Sequence, residues 1–236
     1  MSREAGSASG GKKIISIIIA AVVVLGLAYY LFKISPSTPS SSTAGYNASL
    51  DTSAAKQLSV VPAFNPSTDH YQGNPQAKNV FIEYADFQCP ACAAANDILK
   101  QVPTQFPDTV FVYRDFPLTQ IHPNSVESAM AAEAAANQGK YWEMHDILFQ
   151  KQTDWESVTD PLDLFDQYAQ SVGVGDITKF KNDVTNKTYL SAIETDNNEA
   201  LGLSLTGTPS YFFNGHQLQA SDLSGLLQQA QQWVNK

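Results

Sequence analysis

The sequence predicts an α/β sandwich interrupted by an all-helical insertion, and three observations carry that expectation. A β-rich run at 79–84 gives way to a helix-forming run and then to a second β-rich run at 109–116. From about 118 to 203 the pattern is helical. Strand signal then returns in Ser210-Tyr211-Phe212-Phe213, ahead of the turn-forming pair Asn214-Gly215 and a last helical stretch. Strand–helix–strand, a block of helices, then hairpin–helix is the order expected of a sheet covered by helices.

The chain opens differently. Residues 14–32 carry no charge, and about 20 apolar residues at about 1.5 Å rise each span a hydrocarbon core of about 30 Å. Tyr29 and Tyr30 fall near the far end of this run, where aromatic rings favour the interface. Arg3, Lys12 and Lys13 precede it, whereas only Lys33 follows closely. The positive-inside tendency then gives a cytoplasmic tail at 1–13, a single-pass transmembrane anchor at 14–32 in the cell membrane, and an extracytoplasmic remainder. A cleaved signal peptide competes with this reading. Its apolar core is only about 7–15 residues, followed by a small-residue cleavage site, and this run is longer and ends in Tyr-Tyr-Leu-Phe-Lys. Residues 33–70 read as a Ser/Pro-rich linker, and the folded domain is expected over 71–236.

Within the domain, Val80, Phe81, Ile82 and Tyr84 mark the first strand by their β-branched and aromatic side chains. Cys89-Pro90-Ala91-Cys92 follows, with Pro90 suited to a first helical position and an alanine-rich run behind it. That helix is expected to end near Pro103 to Pro107. Ser125 is expected to cap a helix to Asn137, with Glu127 in its first turn and Gly139 beyond its end. Another helix spans 141–150. Asp160-Pro161 opens one that Gly173 stops, Asp176 caps a short one toward Asp183, and the block closes over about 189–203. Asn214-Gly215 is a favoured two-residue hairpin turn, so His216-Gln217-Leu218 should pair back on the preceding strand, with a helix at 222–234 to finish.

A hydrophobic share of 43% is ample for a core, and a net charge of −9 without a Lys/Arg cluster excludes a nucleic-acid partner. The chemistry lies with the two cysteines. Three residues apart at a strand-to-helix junction, Cys89 and Cys92 can close a small, reversible disulfide. At a helix start Cys89 faces unpaired N–H groups and the positive end of the dipole, which favour the thiolate; such thiols titrate at roughly 3.5–7.5 rather than near 8.5. Cys92, one turn in, suits a resolving thiol. Structural zinc needs four ligands, and His70, His122, His145 and His216 are scattered, so no metal and no cofactor is expected. Glu83 shares a strand face with Phe81 and Ala85; it either exchanges a proton with Cys92 or faces solvent at a strand end. Thr208-Pro209, taken alone, is a turn.

Cys89-Pro90-Ala91-Cys92, Glu83 six residues earlier, and Thr208-Pro209 ahead of the hairpin together resemble the thioredoxin superfamily. Ile121-His122-Pro123-Asn124 and the stretch from Gln138 to His145 resemble its DsbA-like branch. The resemblance implies a thioredoxin fold, a central mixed sheet flanked by helices with a helical insertion, preceded here by the transmembrane helix. It implies an exposed nucleophile at Cys89, a resolving thiol at Cys92, a cis-proline at Pro209 and backbone contacts to an extended substrate at Thr208. His122 and His145 are read as capping or packing residues. Pro90 and Ala91 complete the motif, and Ala91 departs from the histidine of the strongest oxidants in the family. The implied activity is a membrane-anchored, monomeric protein thiol–disulfide oxidoreductase, acting as an oxidase on exported proteins with cysteines and recycled by a membrane redox partner. A reductase or isomerase, or a tethered binding or holdase module without turnover, are the alternatives.

Overall fold

Two seven-residue strands lie parallel at the centre of the sheet, β2 (Asn79–Ala85) and β3 (Thr109–Asp115), with Glu83 opposite Tyr113. In this computed structural model the described residues are Leu50, Thr52, 58–106, 108–219 and 223–234. The expected cytoplasmic tail, the anchor at 14–32 and the first part of the linker lie outside them. Among the described residues no helix is long and apolar enough to cross a membrane.

Three further strands complete a five-stranded mixed sheet. They are β1 (His70–Gln72), β4 (Ser210–Phe213) and β5 (His216–Leu218), in the spatial order β1-β3-β2-β4-β5. All pairings other than β2–β3 are antiparallel. Asn214 and Gly215 both take positive φ, 49° and 82°, as a two-residue hairpin turn requires. Asn214 also pins the turn to β2: Val80 N–H donates to its Oδ1 at 2.9 Å, and its Nδ2 donates to Asn79 Oδ1 at 3.0 Å.

Between β2 and β3 the chain forms α1 (Pro90–Leu99) and a short α2 (Val102–Gln105). Pro90 occupies the first turn of α1, where its missing N–H costs nothing. The expected single helix to Pro103 or beyond is broken at Lys100 and Gln101. The insertion between β3 and β4 holds six helices: α3 (Ser125–Ala136), α4 (Tyr141–Gln150), α5 (Gln152–Trp155), α6 (Leu162–Ser171), α7 (Ile177–Thr185) and α8 (Leu190–Gly202). The last helix is α9 (Leu223–Val234).

Side-chain alternation along the strands sorts the core into faces. Phe81, Phe111, Phe213 and Leu218 pack with Leu99 of α1 and Ala230 of α9. Ile82, Tyr84, Val110, Val112 and Phe212 point the other way, toward Ala200 of α8 and Val61. A third cluster joins Phe87, Cys89, Cys92 and Tyr113 to the helical block, including Met130, Met144, Leu148, Trp155 and Phe165. In α3, Ala129, Ala131, Ala132, Ala134 and Ala135 are all buried and no residue is fully exposed, so the small side chains let its neighbours approach closely.

Two expectations are corrected. The packed domain begins upstream of Tyr71: Val61 is buried, and Asp69 forms a paired ion bond with Arg114 of β3 at 3.0 and 3.1 Å. Arg114 also donates to Tyr84 Oη and lies 3.2 Å from Glu199, so this buried guanidinium has its partners supplied from three sides. Nor does Ser125 cap α3. The N-cap position falls to Asn124, without a side-chain cap bond, because its amide is engaged elsewhere; Ser125 Oγ donates back to His122 O at 2.8 Å. Asp176 caps α7 as expected, accepting from Lys179 N–H at 2.8 Å.

Candidate active site

Cys89 ends the loop after β2 and is the N-cap residue of α1, with an extended backbone. Both cysteines are free, so the pair is in the dithiol state. Cys92, one turn into α1, is 1% exposed. Cys89 itself is only 6% exposed, which corrects the expectation of an open nucleophile. The cover comes from the loop before β4: the Thr208-Pro209 peptide is cis, and Thr208 O accepts from Cys89 Sγ at 3.4 Å.

Glu83 is buried at 3% exposed, not solvent-facing. The register places it in a row between Tyr113 of β3 and Tyr211 of β4. The Tyr211 hydroxyl donates to its carboxyl, while its Oε1 has no hydrogen-bond partner. Glu83, Cys92, Cys89, Thr208 and Pro209 are thus brought to one place by β2, α1 and the approach to β4. His145 is not among them: it is buried in an aromatic group with Phe87, Tyr113, Trp142 and Phe149.

Sequence reasoning missed the residue that holds the loop together. Asp86 accepts from Gln88 N–H at Oδ1 (2.8 Å) and from Leu118 N–H (2.8 Å) and His122 Nδ1 (2.7 Å) at Oδ2, and its carbonyl accepts from Cys89 N–H (2.9 Å). Its place four residues before the motif's Pro90, in a turn, was the available signal, since aspartates there commonly bond the backbone two residues on. Gln88 and Gln152 were missed too. Gln88 accepts from Asn124 N–H at 2.7 Å and donates to Glu156 O at 2.6 Å. Gln152 Nε2 donates to the carbonyls of Phe87 and Cys89 at 2.7 and 3.0 Å. Among the described residues, no group of His, Cys, Asp and Glu is arranged to hold a metal ion.

A family model described as Thioredoxin matches residues 65–231, more than half of the chain. The chain belongs to the thioredoxin family. Its fold is shared with solved structures. BdbD from Bacillus subtilis, in its oxidised form, matches with a TM-score of 0.67 at 21% identity, covering 77% of this chain and 100% of that one. The catalytic domain of Proteus mirabilis ScsC matches at 0.60 and 19%, covering 73% and 93%. Curated relatives include a protein named Na(+)/H(+) antiporter NhaA 1 of Mycobacterium sp. (strain KMS), 34% identical over 205 residues. Those residues are 85% of this chain and 30% of that protein. Its namesake in Mycolicibacterium vanbaalenii is 37% identical over 162 residues, 67% and 25% of the two chains. The chain therefore spans less than a third of the length of these relatives.

In this thioredoxin-family site the two thiols are driven apart. The Cys89 thiol is pushed down to about 5, chiefly by the hydrogen bond from Cys92. The Thr208 hydroxyl, buried and without another partner, and the N–H groups of Cys92 and Ala91 add to this, against the opposing effect of burial. Cys92 is pushed well up, first by burial, then by its bond to Cys89 and the negative charges of Glu83 and Cys89. Burial raises the Glu83 carboxyl to about 8, helped by the Cys89 charge and opposed by the Tyr211 hydroxyl. One thiolate, one thiol and a carboxyl that titrates between them can pass a proton to and from Cys92 during exchange. Thiolate absorbance at 240 nm should accordingly fall with a midpoint near pH 5 as the reduced protein is acidified. A midpoint near the ordinary thiol value of about 8.5 would contradict the geometry.

Proposed function

We propose that this chain is a protein thiol–disulfide oxidoreductase that works as an oxidase, using Cys89 and Cys92. The separation of the two thiols at the start of α1 carries the reading. A client thiolate attacks Cys89 Sγ of the oxidised pair, forming a client–Cys89 disulfide and expelling Cys92 as a thiolate that takes a proton from Glu83. A second client thiolate then attacks the client sulfur of that bond and expels the stable Cys89 thiolate. The client loses two electrons, and the pair gains them.

The direction follows from which redox state is favoured. A reduced form stabilised by a thiolate at pH 7 makes the disulfide a stronger oxidant. The Thr208 backbone lying against the sulfur supports docking of an extended client through main-chain contacts, which tolerate many sequences. The apolar, uncharged run at 14–32, with its basic flank before it, supports a single-pass anchor that holds the domain outside the cell membrane, where a membrane redox partner would reoxidise it. The deciding experiment is the equilibrium potential of the Cys89–Cys92 couple against glutathione. A value toward about −120 mV is expected, and one near about −270 mV would make the protein a reductase instead.

A further inference from the structure

One titratable side chain tied to the loop of Cys89 has no part in the exchange just described. His122 lies in the loop between β3 and α3, its side chain 15% exposed, and its Nδ1 donates to Asp86 Oδ2 at 2.7 Å. The Asp86 side chain is fully buried, and a buried carboxylate requires donors or a cation to offset its lost hydration. It has two backbone N–H donors and this imidazole. The carbonyl of the same residue accepts from Cys89 N–H, so one aspartate fixes the loop of His122 against the loop of the nucleophile. A cavity of about 350 Å³ opens there, lined by Gln88 and Pro90 on either side of Cys89 in the chain and by Ile121, His122 and Glu156 across from them. Within the four-residue motif itself, Ala91 offers no charge.

We propose that His122, held as an imidazolium by Asp86, is the positive partner of the Cys89 thiolate, supplied from the helical insertion rather than from the Cys-Pro-Ala-Cys motif. The inference rests on Cys89 being the attacking thiol. His122 is a positioning residue: it shares no bond with the reacting sulfurs and acts on them through its charge. The titratable groups facing it all act in one direction. Asp86 first, by its hydrogen bond and its charge, then Cys89 and Glu156 hold the imidazole above its ordinary range, and only burial opposes them. The coupling is reciprocal, so whatever stability the thiolate lends the imidazolium is returned to the thiolate.

The test compares the reduced full-length chain with His122→Gln and His122→Arg by thiolate absorbance against pH. Glutamine should raise the Cys89 midpoint by about one pH unit, a tenfold loss of thiolate stability of the size that a nearby opposite charge confers. The potential should fall by about 30 mV, the equivalent of that factor for a two-electron couple. Arginine, which keeps the charge, should restore most of both. An unchanged midpoint in His122→Gln, or an arginine variant shifted as far as the glutamine one, overturns the proposal. A second measurement needs no substitution: the His122 ring protons, followed by NMR, should titrate at higher pH in the reduced protein than in the oxidised one. Equal midpoints in the two redox states overturn it as well. If the wild-type chain shows no exchange with clients, the functional reading fails by itself, while the midpoint comparisons still decide the role of His122.

Discussion

Replacing Cys89 by serine should abolish thiol–disulfide exchange and leave the fold standing. Exchange needs a sulfur that is ionised at the working pH and can enter a mixed disulfide, and a hydroxyl does neither. Serine is a favoured N-cap residue, so the start of α1 is kept, while the stability that the fold gains from the hydrogen-bonded Cys89 thiolate is lost. Client oxidation should drop to the uncatalysed background while the variant still unfolds cooperatively, at a lower temperature than the reduced wild type near neutral pH. Cys92→Ser should do something different. Its hydroxyl can still donate to the Cys89 thiolate, but nothing remains to release the client, so mixed disulfides through Cys89 should accumulate on non-reducing gels. Undiminished client oxidation in Cys89→Ser would sink the catalytic reading, and the absence of trapped clients in Cys92→Ser would favour a binding module without turnover.

The second large effect is expected at Glu83→Gln. The fold favours the protonated carboxyl, whose pKa is raised from 4.5 to about 8. The benefit of that protonation is complete below the ordinary value of 4.5 and is lost as pH rises through about 8. A tenfold change in proton affinity is worth about 1.4 kcal/mol, so the carboxylate costs the wild-type fold several kcal/mol, in order of magnitude, at about pH 9. Glutamine stays neutral and keeps the partnership with Tyr211, so the variant should be more stable than wild type at about pH 9 and close to it at about pH 4. The Cys89 thiol contributes with the opposite sign, its stabilisation being lost as pH falls toward about 5, and it is common to the two reduced proteins apart from the repulsion between the Cys89 and Glu83 charges that glutamine removes. The same substitution removes the proton store for Cys92, and exchange should slow by about 10²-fold or more. Parallel stability curves for the two proteins, or an unchanged rate, would show that Glu83 is a structural filler.

The parts of the fold that the sequence disclosed are those with strong local chemistry. Asn214-Gly215 could serve only as a tight turn, Asp176 had free N–H groups to cap, and Gly173 stopped a helix by taking a φ of 82°. The cysteine motif was visible because Pro90 and the alanines behind it read as a helix start. What escaped was set by distant partners. The strand β1 has three residues, too few for a pattern, and exists because β3 offers an edge. Residues 58–69 look like linker, yet Asp69 is fixed by Arg114, 45 positions later. Asn124 seemed a neighbour of the capping residue, whereas its amide is taken by the carbonyls of Trp155 and Val158, far along the chain. His122 read as a packing residue because nothing local reveals Asp86 or the cavity.

The hydrogen bonds from Gln152 to the carbonyls of Phe87 and Cys89 give the six-helix insertion a consequence for protein engineering. A minimised variant, pared down to sheet and flanking helices by excising the block, would take the Gln152 donor from Phe87 O, leave Cys89 O with the Ala93 N–H alone, and cut Asp86 off from Leu118 and His122. Its sulfurs would remain in sequence, but their affinity for electrons would be reset. Transplanting the motif into another scaffold would require carrying those glutamine and aspartate anchors with it.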